Sequence, residues 1–124
     1  MSAPVPKTIV LVEDNVALRE AFQEVLEAAD YQVLSASNGR EALSMVQDYP
    51  LVVDLLFTDL NMPEIGGYEL AIALRRLRPN LKVAIMSGYT QEEADRPLEI
   101  DAWLQKPIGL KDLLQTANAL CYEP

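Results

Sequence analysis

Residues 51–58 form an almost wholly apolar run that stops on a carboxylate, Asp59, with Leu60-Asn61-Met62-Pro63 behind it. A short run of this kind, carrying Val and Phe, suits a strand covered on both faces. Burial on both faces needs helices above and below, the arrangement of a parallel sheet with right-handed crossovers. Ligands of such sheets sit beyond the carboxyl ends of the strands, which is where Asp59 would stand. Pro63 denies the chain further sheet pairing. Read alone, the stretch is equally a strand closed by a turn aspartate, so the rest of the chain must decide.

Short β-prone runs recur at regular spacing. Residues 8–12 read as a first strand, followed by Glu13-Asp14, and Asn15 then caps a helical pattern. Leu18, Ala21, Phe22, Val25, Leu26 and Ala29 share one face of that helix, with Arg19, Glu20, Gln23, Glu24 and Glu27 opposite. Residues 31–35 read as a second strand, Asn38-Gly39 as a turn, and 41–46 as an amphipathic helix that Pro50 breaks. After Gly66-Gly67, residues 68–78 carry Leu70, Ile72, Ala73, Leu74 and Leu77 at helical spacing and stop at Pro79-Asn80. Residues 82–86 give a fourth strand ending on Ser87-Gly88-Tyr89, and 102–105 a fifth leading into Lys106-Pro107. Residues 110–120 close the chain as a helix through Leu110, Leu113, Leu114, Ala117 and Leu120. Strands alternating with helices predict a single α/β domain over 7–122, an open doubly wound parallel sheet, behind a loose, proline-containing lead-in over 1–6.

Composition removes whole classes of chemistry. The chain has no histidine, which excludes Ser-His and Cys-His nucleophile pairs and histidine metal sites. Its formal net charge of −9 argues against direct nucleic-acid binding. A single cysteine, Cys121, cannot form an internal disulfide, and neither a signal pattern nor a membrane-length apolar run occurs. The expectation is a cytoplasmic protein with no membrane association.

The strand ends carry the chemistry. The first ends at Glu13-Asp14, the third at Asp59, the fourth at Ser87, and Lys106 follows the fifth. In a parallel sheet all of these converge on one edge. Carboxylates crowded there repel one another unless a cation lies between them. An oxygen-only set of this size suits Mg²⁺, while a hydroxyl and an ammonium suit the remaining oxygens of a phosphoryl group. Each element also has a plainer reading: Glu13-Asp14 as acids favoured by a helix dipole, Ser87-Gly88 as a strand-to-loop turn, Lys106-Pro107 as nothing in particular. Their joint placement at successive strand ends favours the site.

The motifs Val12-Glu13-Asp14-Asn15, Thr58-Asp59-Leu60-Asn61-Met62-Pro63, Met86-Ser87-Gly88-Tyr89 and Trp103-Leu104-Gln105-Lys106-Pro107 span nearly the whole chain. In that order they resemble the receiver domain of a two-component response regulator. The resemblance implies a CheY-like, flavodoxin-like sheet of strand order 2-1-3-4-5 with five helices. It implies that Asp59 is the phosphoacceptor for a phosphohistidine of a histidine kinase or histidine phosphotransfer protein. Asp14 and Asp59 would bind Mg²⁺ with the backbone carbonyl of Asn61, and Glu13 would act through water. Ser87 and Lys106 would hold phosphoryl oxygens, and Ser87 with Trp103 would form the switch. Output would pass to a downstream protein or to an attached kinase or effector domain.

Two features depart from the family pattern. Only fifteen residues separate Ser87 from Trp103, and Pro97 interrupts them, so the fourth helix of the family is expected to be shortened or replaced by loop. A bulky indole also stands where the family usually has tyrosine or phenylalanine. The Met-Ser-Gly-Tyr pattern resembles receivers attached to hybrid sensor kinases. Other classes fit less well. An aspartyl-phosphate hydrolase needs a second aspartate where Asn61 stands, and a flavin-binding protein needs a phosphate loop where Glu13-Asp14-Asn15 would repel phosphate. A binding-only pseudo-receiver has no physical reason to keep the acidic pair, Asp59, Ser87 and Lys106 together.

Overall fold

The computed structural model describes residues 5–89 and 99–122. Its elements are β1 (Thr8–Val12), α1 (Val16–Ala28), β2 (Gln32–Ala36), α2 (Gly39–Asp48), β3 (Leu55–Asp59), α3 (Gly67–Leu77), β4 (Lys82–Ser87), β5 (Ala102–Gln105) and α4 (Leu110–Tyr122). All pairings are parallel, and the sheet order is β2-β1-β3-β4-β5. The expected doubly wound architecture is present, with four helices among the described residues. The expectation of a shortened fourth family helix falls on residues 90–98, outside the described residues, as does most of the lead-in.

The sheet divides the core into two layers. Val10, Val12, Leu56, Val83 and Ile85 face α2 and α3, packing on Ala42, Val46, Leu70, Ala71 and Leu74. Ile9, Leu11, Leu55, Phe57, Ala84 and Met86 face α1 and α4, packing on Phe22, Leu26, Leu113 and Ala117. β1 and β3 are buried along their whole length, which is why they carry apolar side chains at consecutive positions.

Local details differ from the sequence reading. β3 begins at Leu55, and Leu51 and Val52 are 60% and 70% exposed. The apolar run therefore covers both a connector and a strand. Strand pairing starts only where Leu55 meets Ile9 and Lys82. Asn38 is an N-cap rather than a turn residue: its side chain accepts from the Glu41 N–H, and Gly39 already opens α2. Asn15 caps α1 as expected, accepting from the Leu18 N–H. Leu18 itself is 42% exposed and its neighbour Val16 55%, so the apolar face of α1 is buried only from Phe22 onward. In α3, Ala71 is buried while Ile72 and Leu77 are exposed, so the core-facing stripe is narrower than the apolar pattern.

Candidate functional site

Alternation along the strands decides which charged groups meet. Ile9 and Leu11, Leu55 and Phe57, and Ala102 and Leu104 all pack in the layer shared with α1 and α4. Two residues further along each chain stand Glu13, Asp59 and Lys106, on the same side of the sheet. Lys106 Nζ lies 2.6 Å from Asp59 Oδ1 and 3.7 Å from Glu13 Oε1. Glu13, Asp14 and Asp59 each offer an oxygen within 4.8 Å of the others.

Glu13 and Asp59 are buried, 1% and 3% exposed, whereas Asp14 opens to solvent. Glu13 Oε1 and Asp59 Oδ1 are enclosed and, among the described residues, have no aligned hydrogen-bond donor, although the Lys106 ammonium lies close to both. Buried acceptors without donors are costly, and ionised ones more so. Burial pushes the Glu13 carboxyl up from 4.5 to about 7; the Asn15 N–H opposes this and the Asp59 charge adds to it. Burial draws Lys106 the other way, but its close contact with the Asp59 carboxylate and the charges of Glu13 and Asp14 prevail, so the ammonium is held above its ordinary range. Three acids against one ammonium, all with oxygen donors, suit a hard divalent cation.

The backbone around the acids is tied down at several points. Thr58 Oγ1 donates to the Asp59 carbonyl at 3.0 Å, and Arg19 Nη1 to the Glu13 carbonyl at 2.7 Å. The Gly67 N–H donates to the Leu60 carbonyl at 2.8 Å, bringing the start of α3 against the end of β3. A Cβ at Gly67 would lie only 2.4 Å from the Asp59 carbonyl oxygen, so this approach requires glycine. Asn61 is exposed in the segment after β3.

A second group lies on the other side of the sheet. Val83 and Ile85 pack toward α2 and α3, with Trp103 partly buried against the same cluster. Ser87 continues that side of β4 and is 3% exposed. The Lys106 N–H donates to the Ser87 carbonyl at 2.7 Å, joining the two groups through the backbone.

The sequence-derived residues thus fall into a cluster of Glu13, Asp14, Asp59 and Lys106, beside Ser87 and Trp103. Sequence reasoning missed Arg19, which it placed on a solvated face, and Thr58, which looked like an ordinary strand residue. It also missed Asp101, which accepts from the Val83 N–H at 2.8 Å and from Arg75 Nη2 at 2.9 Å and so fixes the entry to β5. Only spacing could have revealed Arg19, which stands within two helical turns of Glu13. No local signal marks Thr58 or Asp101.

Comparison with known proteins agrees with this geometry. Residues 9–118 match the response regulator receiver domain family. The chain is 35% identical over 116 residues to sensor kinase CckA of Brucella abortus, covering 91% of this chain but only 12% of that protein. It is 35% identical over 112 residues to the response regulator receiver protein CpdR of the same organism, covering 87% of this chain and 91% of that one. Among solved structures, chemotaxis response regulator CheY4 of Vibrio cholerae superposes with a TM-score of 0.84 at 26% identity, over 94% of this chain and 99% of that chain. The receiver domain of hybrid histidine kinase CckA gives 0.79 at 32% identity, over 92% of this chain and 98% of that chain. Among the described residues no helix is long and apolar enough to cross a membrane. With five parallel strands in the order 2-1-3-4-5 and a carboxylate–lysine cluster at their carboxyl ends, the chain belongs to the response regulator receiver domain family of two-component signalling.

Proposed function

We propose that residues 7–122 act as a phosphorylatable switch in which Asp59 accepts a phosphoryl group from a phosphohistidine. The observation that carries this is the Asp59 carboxylate, buried at the carboxyl end of β3 and 2.6 Å from Lys106 Nζ, beside two further acids. A carboxylate oxygen of Asp59 attacks phosphorus, the P–N bond breaks, and the departing histidine nitrogen takes up a proton. Mg²⁺ is the cofactor that fits: among the described residues the enclosed Glu13 Oε1 and Asp59 Oδ1 lack aligned hydrogen-bond donors, and the clustered ligand atoms are all oxygens. Asp14, Asp59 and the Asn61 backbone carbonyl would hold it, with Glu13 through water, and it would neutralise charge on the phosphoryl oxygens. Lys106 would pair with a phosphoryl oxygen and the Ser87 hydroxyl would donate to another, and Ser87 and Trp103 would carry the change outward. The same site assists loss of the phosphoryl group to water, and otherwise the domain signals rather than turns over substrate.

The partner is a histidine kinase or histidine phosphotransfer protein, in the cytoplasm. Similarity to part of sensor kinase CckA supports an attached or neighbouring kinase, and similarity to CpdR supports a separate downstream protein. The test is incubation with acetyl phosphate, with and without Mg²⁺, followed by intact mass. A Mg²⁺-dependent gain of a phosphoryl group, lost in Asp59→Asn, is expected. Uptake by Asp59→Asn, or none by the parent with Mg²⁺, would overturn the reading.

A further inference from the structure

β3 ends at Asp59 and α3 opens at Gly67, so the backbone between them is shaped by contacts outside the sheet. Its two ends are anchored: the Leu60 N–H donates to the Met86 carbonyl at 3.0 Å, and the Gly67 N–H to the Leu60 carbonyl at 2.8 Å. In between, the Ile65 N–H donates to the Pro63 carbonyl at 2.8 Å, closing a three-residue turn around Glu64. Glu64 has a φ of 67°, a left-handed conformation that a long side chain rarely adopts. Such a conformation persists only where its surroundings hold it.

The brace is the start of α2. Arg40 Nε lies 2.6 Å from Glu64 Oε2. Beside it, a Cβ placed on Gly39 would lie 3.1 Å from both the Ile65 Cβ and the Ile65 carbonyl oxygen, so the turn sits tightly against the first residue of the helix. Ile65 itself packs, partly buried, on the core layer that contains α2 and α3. Glu41 offers Arg40 a competing carboxylate, but both of its oxygens are engaged with Ser37. One accepts from the Ser37 N–H at 3.2 Å and the other from its hydroxyl at 3.4 Å. Asn38 caps the same helix, so Arg40 is presented from a firm first turn, and Glu64 is the carboxylate it meets.

We propose that the Arg40–Glu64 ion pair is a positioning device for the Asn61 backbone carbonyl, and so tunes Mg²⁺ affinity from outside the acidic cluster. This rests on the proposed role of that carbonyl as a Mg²⁺ ligand, which it deepens by naming what aims it. Asn61 is exposed and stands three residues before Glu64, so its carbonyl points where the turn puts it. The two side chains are 75% and 63% exposed, so the pair adds little to global stability and is weakened by salt. Its effect is on the population of one arrangement of the turn. A ligand that needs that arrangement binds more weakly in proportion as the population falls. The sign of the effect is diagnostic. By field alone, deleting Arg40 removes a positive charge and would tighten a divalent cation, whereas deleting Glu64 would loosen it. Positioning requires that both deletions loosen it.

The experiment titrates Mg²⁺ by NMR into the parent, Arg40→Ala, Glu64→Ala, the double variant, and the exchanged pair Arg40→Glu with Glu64→Arg. Both positions are exposed, so all of these variants should fold. Each single deletion should weaken Mg²⁺ binding roughly threefold at low salt, the scale of an exposed ion pair. The double deletion should be no weaker than either single one, and exchanging the charges should restore most of the parental affinity. With acetyl phosphate, half-maximal uptake should need correspondingly more Mg²⁺, while the rate at saturating Mg²⁺ stays parental. In the metal-free proteins the Ile65 amide should exchange faster in Arg40→Ala than in the parent. Tighter or unchanged Mg²⁺ binding in Arg40→Ala would overturn the proposal, as would additive losses in the double variant or parental Ile65 exchange. A parent that binds Mg²⁺ with this dependence yet takes up no phosphoryl group would sink the phosphoacceptor reading and support the ion pair. A parent that binds no Mg²⁺ would sink both.

Discussion

Lys106 is the counter-charge that lets buried Glu13 and Asp59 share a site, at 3.7 and 2.6 Å from their oxygens. Its side chain is 37% exposed, so the pairing is partly screened and serves positioning as much as stability. Lys106→Ala removes the ammonium and leaves the clustered carboxylates without the counter-charge it supplied. Uptake from acetyl phosphate should still occur but about tenfold more slowly, on the scale of one lost charge-assisted contact. The phosphorylated variant should keep the NMR spectrum of the unphosphorylated protein, since the link from phosphoryl oxygen to the β5 end is cut. A spectrum matching that of the phosphorylated parent would remove Lys106 from the coupling. At this scale the residue types were legible from the chain: Glu13, Asp14, Asp59, Ser87 and Lys106 each follow or end a strand. Arg19 and Thr58 were not, because their hydrogen bonds go to backbone carbonyls whose position depends on the neighbouring turn.

At the scale of elements, the contact between β3 and α3 sets how the site is closed. Gly67 begins α3 with its N–H on the Leu60 carbonyl, and a methyl group there would lie 2.4 Å from the Asp59 carbonyl oxygen. Two effects compete in Gly67→Ala. Helix propensity favours alanine by about 1 kcal/mol, while backbone displacement to relieve the overlap costs about 1–3 kcal/mol. The obstacle is backbone rather than a flexible side-chain tip, so the steric term should win. The variant should unfold at lower denaturant concentration, and Mg²⁺ should bind it more weakly because the Asp59 carbonyl has been pushed aside. An unchanged unfolding midpoint would show that α3 can slide without cost. The sequence revealed the glycine pair but not its purpose. A flexible turn and a forced close approach look alike until β3 and α3 are placed against each other.

For the whole molecule, the site is an electrostatic liability built onto a sheet whose two apolar layers can bear it. The Glu13 carboxyl is raised by burial from 4.5 to about 7, so between those values the folded state binds more protons than the unfolded one. Metal-free stability should therefore fall as pH rises from about 4.5 through 7 and level off above. Glu13→Gln should flatten that slope in thermal melts at pH 5 and 8, and an unaltered slope would assign the effect elsewhere. Asp14→Asn removes one of three charges within 4.8 Å and should raise the metal-free Tm by roughly 4 °C. Mg²⁺ should stabilise the parent by binding the folded state, and the same variant should lose most of that gain. A variant no more stable than the parent without metal would count against shared repulsion.

What the sequence determined by itself was the alternation of strands and helices, the parallel sheet, and the edge on which Glu13, Asp14, Asp59, Ser87 and Lys106 gather. Those follow from hydrophobic period and chain connectivity, which are local properties of the chain. Only the tertiary structure decided that β3 starts at Leu55, because a strand begins where partners exist, and the exposed Leu51 and Val52 have none. It also decided which groups meet: Lys106 with Asp59 on one side of the sheet, and Trp103 with the Tyr89 carbonyl on the other. Those pairings depend on register between strands far apart in the chain, and register is set by how both faces pack rather than by any residue's neighbours.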